Sequence, residues 1–433
     1  MKERIQKYIK PQYNKLRRTG FFSIFLSTVF SKIIVFFGGI VVVRLLSKND
    51  YGLYAYVINC LSVMRLLNDF GASSAILQFS AENHKDEIKQ TQYIKYGIRV
   101  GAYASLISSL IILFSPLFYP YSLDNSEKLT TILFLVPFLA TLSEIFPAIL
   151  RANLQNKKYG ILQIFMTLAH YIPLIILSLI FGLTGAILSQ YFYYIIVIAF
   201  SIYLCLPYLK KFKDNSKLNR TEKKQFLKYS LVTQINSTIG GLLLIIDTFL
   251  IGLLIANEEV LATYNVAAKI PHALAFLPSC IIIYVLPYFV RNNKNIDWVK
   301  LNYRRLLIIG SIIYGLITLG LVMLSKPIFI FLFGRQYLDA IPTFIVLMVG
   351  FFFSSTFKIP SINILNSMKK LKFNFYINVI SIVINFISNI IFIRIFGYIG
   401  AAITTSMINI ISSLAYFVYI KILFRRGFVN DKV

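Results

Sequence analysis

Long apolar runs alternate along the chain with short polar or basic breaks, and the runs recur at a nearly constant length. Twelve stand out: residues 21–43, 51–79, 93–115, 129–150, 159–181, 184–206, 229–253, 260–290, 303–324, 341–365, 373–396 and 398–423. A helix needs roughly 20 mostly apolar residues to cross the hydrocarbon core of a bilayer. Backbone in lipid must satisfy its own hydrogen bonds, which leaves helices or closed barrels as the spanning structures. Barrel strands are short and alternate in polarity, and these runs do neither. The pattern therefore predicts an all-α integral membrane protein of about 12 transmembrane helices.

Composition agrees: 57% of the 433 residues are hydrophobic and 14% are charged, against about 25% charged in soluble domains. The net charge of +27 would point to nucleic acid in a soluble protein, but its distribution gives another answer. With the N-terminus placed in the cytoplasm, the segments on that side carry 33 Lys and Arg and the opposite loops carry six: Arg44, Lys48, Lys128, Lys326, Arg335 and Arg394. That asymmetry obeys the positive-inside rule. It predicts cytoplasmic termini and basic loops that meet an anionic leaflet rather than nucleic acid. Residues 1–20 form a basic cytoplasmic segment too long for the n-region of a cleaved signal, and no small-residue cleavage site closes the first run. Cys60, Cys205 and Cys280 are isolated in or beside spans, which fits apolar filler rather than redox or metal chemistry.

The chain also repeats itself. The stretch 210–224, KKFKDNSKLNRTEKK, splits it into two sets of six runs that resemble one another at an offset of about 210 residues. Tyr54 matches Tyr264; Tyr93, Lys95 and Pro116 match Tyr303, Arg305 and Pro327; FGLTGAILS at 181–189 matches FGYIGAAIT at 396–404. Residues 1–206 and 229–433 are read as two six-helix lobes joined by a basic cytoplasmic linker at 207–228. Six being even, both lobes enter the membrane with one orientation, so a pseudo-two-fold along the membrane normal relates them. Two such bundles with a site between them suit alternating access.

Ionisable side chains within spans cost several kcal/mol unless they face a cavity or a partner. Lys32 falls about 16 Å into the first span and Lys269 about 13 Å into the eighth, too deep to reach an interface by snorkelling. Asn265, Lys269 and His272 share one helix face at i, i+4 and i+7. Arg65, Lys358 and Arg99 complete the set of candidate cavity cations. Snorkelling is a competing account of Arg99 and Lys358, and Asp69, four residues after Arg65, is a candidate to neutralise that arginine. Asp69, Glu144 and Asp247 are candidate counter-ions or coupling acids, for protons or sodium. Five cations against three acids leave a net positive cavity, which favours an anion such as phosphate or pyrophosphate. No Walker A, G-x-S-x-G or H-E-x-x-H motif occurs in a fitting context, so the chain is read as no enzyme, without metal or organic cofactor.

Residues 30–76, with RLLS before NDYGLY and a Gly-Ala pair at Gly71–Ala72, resemble the opening of polysaccharide-type flippases of the multidrug/oligosaccharidyl-lipid/polysaccharide (MOP) exporter superfamily. DTFLIGLLIANEEVLATYNVAAKI at 247–270 resembles that family's seventh-to-eighth-span hairpin. The resemblance implies a Wzx-type flippase of the cell inner membrane. Such a protein moves an undecaprenyl-pyrophosphate-linked O-antigen or capsule repeat unit to the outer leaflet, beside a polysaccharide polymerase and a chain-length regulator. Lys32 in FSK and Lys269 ahead of Pro271 match basic positions of related lipid II flippases. Gly38–Gly39 stands where those carry an Arg-Asp pair, and two further spans are missing, so another polyprenyl-linked substrate is implied. The competing reading is an ion-coupled multidrug antiporter; the first span, which holds Lys32 and no acid, counts against it.

Overall fold

The computed structural model describes residues 21–119, 121–209, 217–292, 295–368 and 370–426. The basic segment 1–20 and residues 210–216 of the central loop lie outside the described residues. The chain is an all-α membrane protein, with no strand among the described residues. It divides into two compact units: one takes residues 1–47 and 57–238, the other residues 48–56 and 239–433.

In the first unit, α1 (Phe21–Leu45) packs along α7 (Asn156–Leu209), which also packs on α6 (Val136–Ala152). The second apolar run is not one helix. Helix α2 (Lys48–Met64) tightens into a 3₁₀ turn at Arg65–Leu67, passes through a turn, and resumes as α3 (Ala72–Glu82). Helices α3, α6 and α4 (Glu87–Phe114) enclose a core of Ile76, Tyr93, Ile145 and Ile149. A short α5 (Ser126–Ile132) leads into α6 at a 46° bend. The first turns of α8 (Arg220–Ile255) belong to this core as well. Leu218 and Phe226 are buried in it, and Lys89 Nζ lies 2.6 Å from Glu222 Oε1. What the sequence reads as linker is thus docked onto the first unit from Leu218 onward.

The second unit contains α9 (Glu258–Leu274), α10 (Phe276–Arg291), α11 (Ile296–Met323), α12 (Ser325–Leu332), α13 (Ile341–Phe353), α14 (Ile359–Ser367), α15 (Leu371–Phe396) and α16 (Tyr398–Arg426). Helices α13 and α15 both pack on α16, and α9 packs on α13. A single π-helical turn, Ser354–Lys358, joins α13 to α14.

Nine helices among the described residues are long and apolar enough to cross a membrane, or ten with the bent pair at 126–152. The twelve apolar runs all fall on helix. The count differs because two runs lie within α7, on either side of Gly182, and because the run at 51–79 is broken, so neither half reaches spanning length.

Gly182 and Gly397 carry the repeat seen in the sequence into three dimensions. Their backbones stand at φ 57°, ψ −134° and φ 61°, ψ −147°, a region of positive φ where side chains other than glycine's are strained. Each reverses the chain between two long helical segments. Three residues later, a Cβ on Gly185 would meet the Leu177 carbonyl oxygen at 1.9 Å, and one on Gly400 the Phe392 carbonyl oxygen at 2.0 Å. The same eight-residue offset and backbone contact occur in both units.

Candidate functional site

The break in the second span is what positions Arg65. Ending the α-helical ladder frees backbone groups, and at membrane depth these must find partners. Gln234 and Thr238 of α8 donate to the Leu66 carbonyl, the latter at 2.8 Å, and Ser230 donates to that of Phe70. Asn68 donates to the Pro137 carbonyl (2.9 Å) and to Thr141 Oγ1 (2.7 Å) of α6. Asp69 caps α3: its two oxygens accept from the Gly71 and Ser73 amides, both at 2.9 Å. The Arg65–Asp69 pairing that the sequence spacing allows is not formed, because the chain is not α-helical between them and Asp69 is spent on the cap.

Arg65 turns instead to residues distant in sequence. Nη1 donates to Tyr194 OH at 2.9 Å, and the guanidinium lies 5.6 Å from that ring's centre. Nη2 lies 3.3 Å from Glu144 Oε1. Nε is buried with no hydrogen-bond partner among the described residues. Arg65, Glu144, Asn68, Asp69, Gln234 and Ser237 line a cavity of about 200 Å³. Glu144 is therefore the acid paired with Arg65 in this structure. Tyr194, Gln234 and Ser237 were not signalled by the sequence.

In the second unit the Asn265–Lys269–His272 face is distinct. From Leu261 to Pro271 every residue of α9 is buried except Asn265 and Lys269, and His272, next on that face, is exposed. Lys269 Nζ lies 5.4 Å from the centre of the Tyr51 ring, within cation–π range. Asn265 Nδ2 donates to the Leu261 carbonyl, and its Oδ1 lies 3.5 Å from Thr248 Oγ1.

Asp247 is buried and forms no ion pair with a lysine or arginine among the described residues. Oδ2 accepts from Tyr264 OH at 2.7 Å and from Thr405 Oγ1, and Oδ1 accepts from Asn389 Nδ2 at 2.8 Å. All three donors are neutral, and none was a site candidate from the sequence; Tyr264 entered there only as the repeat match of Tyr54. Lys358 ends the π-helical turn and reaches Asn409 Oδ1 at 3.3 Å; it is half-buried and held by protein rather than stretched out of the fold.

Lys32 and Arg99 are both exposed, but in different settings. On α1 the exposed residues Leu26, Phe30, Ile33, Phe37 and Val41 share one side, while exposed Val35 stands apart from them. Lys32 lies about 140° around the helix from the centre of that side, at 100° per residue, and Ser27 and Ser31 face Gln163 of α7. Exposed Val35 lies about 60° from Lys32 around the helix, so α1 carries exposed apolar residues on the Lys32 side as well. Arg99 shares its face with Tyr103, Leu106 and Leu110, all exposed. It stands on an apolar stripe, as snorkelling requires, and apart from the cavity at Arg65.

Known proteins agree with this architecture. The chain is 25% identical over 414 residues to MJ1068, an uncharacterized membrane protein of Methanocaldococcus jannaschii, covering 89% of this chain and 80% of that one. Its fold matches the lipid II flippase MurJ in an inward closed conformation, with a TM-score of 0.72, 18% identity, and coverage of 92% of this chain and 87% of MurJ. It also matches an inward-facing multidrug resistance MATE family transporter of the MOP superfamily, with a TM-score of 0.69, 16% identity, and coverage of 92% and 95%. These likenesses fix the fold. Residues 18–293 match the family described as polysaccharide biosynthesis protein, well over half of the chain, and the chain belongs to that family.

Proposed function

We propose that the protein is a flippase that carries a polyprenyl-pyrophosphate-linked oligosaccharide, such as an O-antigen or capsule repeat unit, from the cytoplasmic to the outer leaflet of the inner membrane by alternating access. The observation that carries this reading is the polar face of Asn265, Lys269 and His272 on a helix whose other residues from 261 to 271 are buried, in a member of a polysaccharide biosynthesis family. A cation on the polar face of a membrane helix suits an anionic ligand, and the substrate's pyrophosphate is one. Lys32, exposed on α1, and Arg65, with an unfilled Nε–H, extend the cationic set. Asp247 and Glu144 are the acids through which protons or sodium would drive the cycle. A drug antiporter shares the fold, but a pump for cationic drugs would be repelled by these lysines and Arg65.

The test is complementation of a strain that lacks its own repeat-unit flippase, with membrane protein level checked alongside. Lys269→Ala and Lys32→Ala should each stop export at near-normal protein level. Lys→Arg should be tolerated better, since the charge stays although its geometry changes, and Lys→Glu should be worst. Full export by the Lys32→Ala, Lys269→Ala double variant would overturn the reading.

A further inference from the structure

Arg65 is held by an acid that has little else to hold. Glu144 reaches it through one oxygen, at 3.3 Å, longer than the roughly 2.7–2.9 Å of a well-made charge-assisted bond. The other carboxylate oxygen has no hydrogen-bond partner among the described residues. The Glu144 side chain is 49% exposed against 23% for Arg65, so the acid is the loose member of the pair. The arginine is fixed from the other side: Tyr194 accepts from Nη1, and the backbone break that carries it is pinned from α6 and α8. The buried Nε–H is unfilled. A guanidinium offers donors along two edges in a fixed fork that matches a carboxylate or a phosphate. Here one edge is in part occupied by Glu144, and a donor that completes the fork has no acceptor. The cavity beside it is about 200 Å³.

We infer that Glu144 is a built-in stand-in for the substrate's phosphate. It occupies Arg65 Nη2 in the empty protein and swings aside when a diphosphate takes the Nε–Nη2 edge of the guanidinium. The inference rests on the flippase reading and deepens it, since it gives the anion site an internal competitor. Such a competitor lowers affinity for the diphosphate and ends its stay, because release returns Arg65 to a waiting partner rather than to an unpaired state. A carrier that must let its cargo go on the far side of the membrane gains from this. The electrostatic consequence is specific: removing the acid should strengthen diphosphate binding, and only while Arg65 is present. A partly exposed ion pair is worth up to about 1 kcal/mol, or about five-fold in affinity.

The experiment is a double-mutant cycle on the purified full-length protein in lipid nanodiscs. Affinity for undecaprenyl pyrophosphate is measured, with inorganic pyrophosphate as competitor. Glu144→Gln should tighten binding about five-fold, with Glu144→Asp between it and the unaltered protein. Arg65→Ala should weaken binding, and adding Glu144→Gln to Arg65→Ala should change nothing further. Weaker binding by Glu144→Gln would make the acid part of the substrate's own cradle and overturn the inference while leaving the flippase reading intact. Equal tightening with and without Arg65 would reduce Glu144 to a diffuse repulsive charge and would also overturn it. Failure of the unaltered protein to bind undecaprenyl pyrophosphate at all would overturn both.

Discussion

Replacing Asp247 separates packing from coupling, because its contacts define what each substitution leaves behind. Asp247→Ala removes the acceptor shared by three donors. Asn389 keeps one partner, since its Nδ2 also donates to Asn385 Oδ1 at 3.0 Å. The Tyr264 and Thr405 hydroxyls lose the acceptor they share. A buried polar group left unsatisfied costs about 1–3 kcal/mol, so the two together cost about 3 kcal/mol. For a unit of around 200 residues, 1 kcal/mol moves Tm by about 2–4 °C, which gives a fall of about 6–12 °C. Asp247→Asn behaves differently. Its carbonyl oxygen can still accept from Asn389, and its amide can donate to both hydroxyl oxygens, which accept as readily as they donate. Its cost should stay below about 1 kcal/mol, or about 2–4 °C. Thermal unfolding of the detergent-solubilised protein, followed by size-exclusion fluorescence, reads the difference. Equal losses for Ala and Asn would refute the hydrogen-bond argument. The Asn variant, being well folded, then reports on function: if Asp247 couples transport to an ion gradient, export should lose its dependence on that gradient. Unchanged export with an unchanged response would leave Asp247 a structural role only.

Arg99→Leu should reduce polysaccharide export by less than about two-fold, because Arg99 stands on an apolar stripe where a long cationic stem only snorkels; loss of export at normal protein level would return it to the site. Gly52→Ala should destabilise the second unit by about 1–3 kcal/mol, since the added Cβ would lie 1.8 Å from the Glu258 carbonyl oxygen; an unchanged Tm would refute that close approach. With Cys280 replaced by Ala, and Cys60 and Cys205 buried, Asp124→Cys should react with an impermeant maleimide in intact cells and Lys217→Cys only after permeabilisation, as the basic-loop asymmetry requires. The reverse pattern would invert the proposed orientation.

The spans were legible because apolar length is a local property, and so was the polar stripe, because helical spacing puts Asn265, Lys269 and His272 on one face. The broken second span was not read, although Asn68, Asp69 and Gly71 spell a turn; the apolar run continued on both sides and masked them. Pro360 likewise follows the π-helical turn that ends at Lys358 without announcing its type. Arg65's true partners lie 79 and 129 positions away, and no local pattern encodes such contacts. Asp247 was visible as a buried acid, but its donors, Tyr264, Asn389 and Thr405, are ordinary residues until the fold gathers them.

The two glycine turns carry a mechanical consequence. At Gly185 and Gly400 the returning helix leans on a carbonyl of the outgoing one with no side chain between them. Two helices in backbone contact cannot slide or roll past each other without first separating, because no flexible side chain is there to yield. Each final helix pair is therefore stiff in torsion near its turn. Bending stresses applied at the far end of such a hairpin are passed to its neighbours rather than absorbed within it.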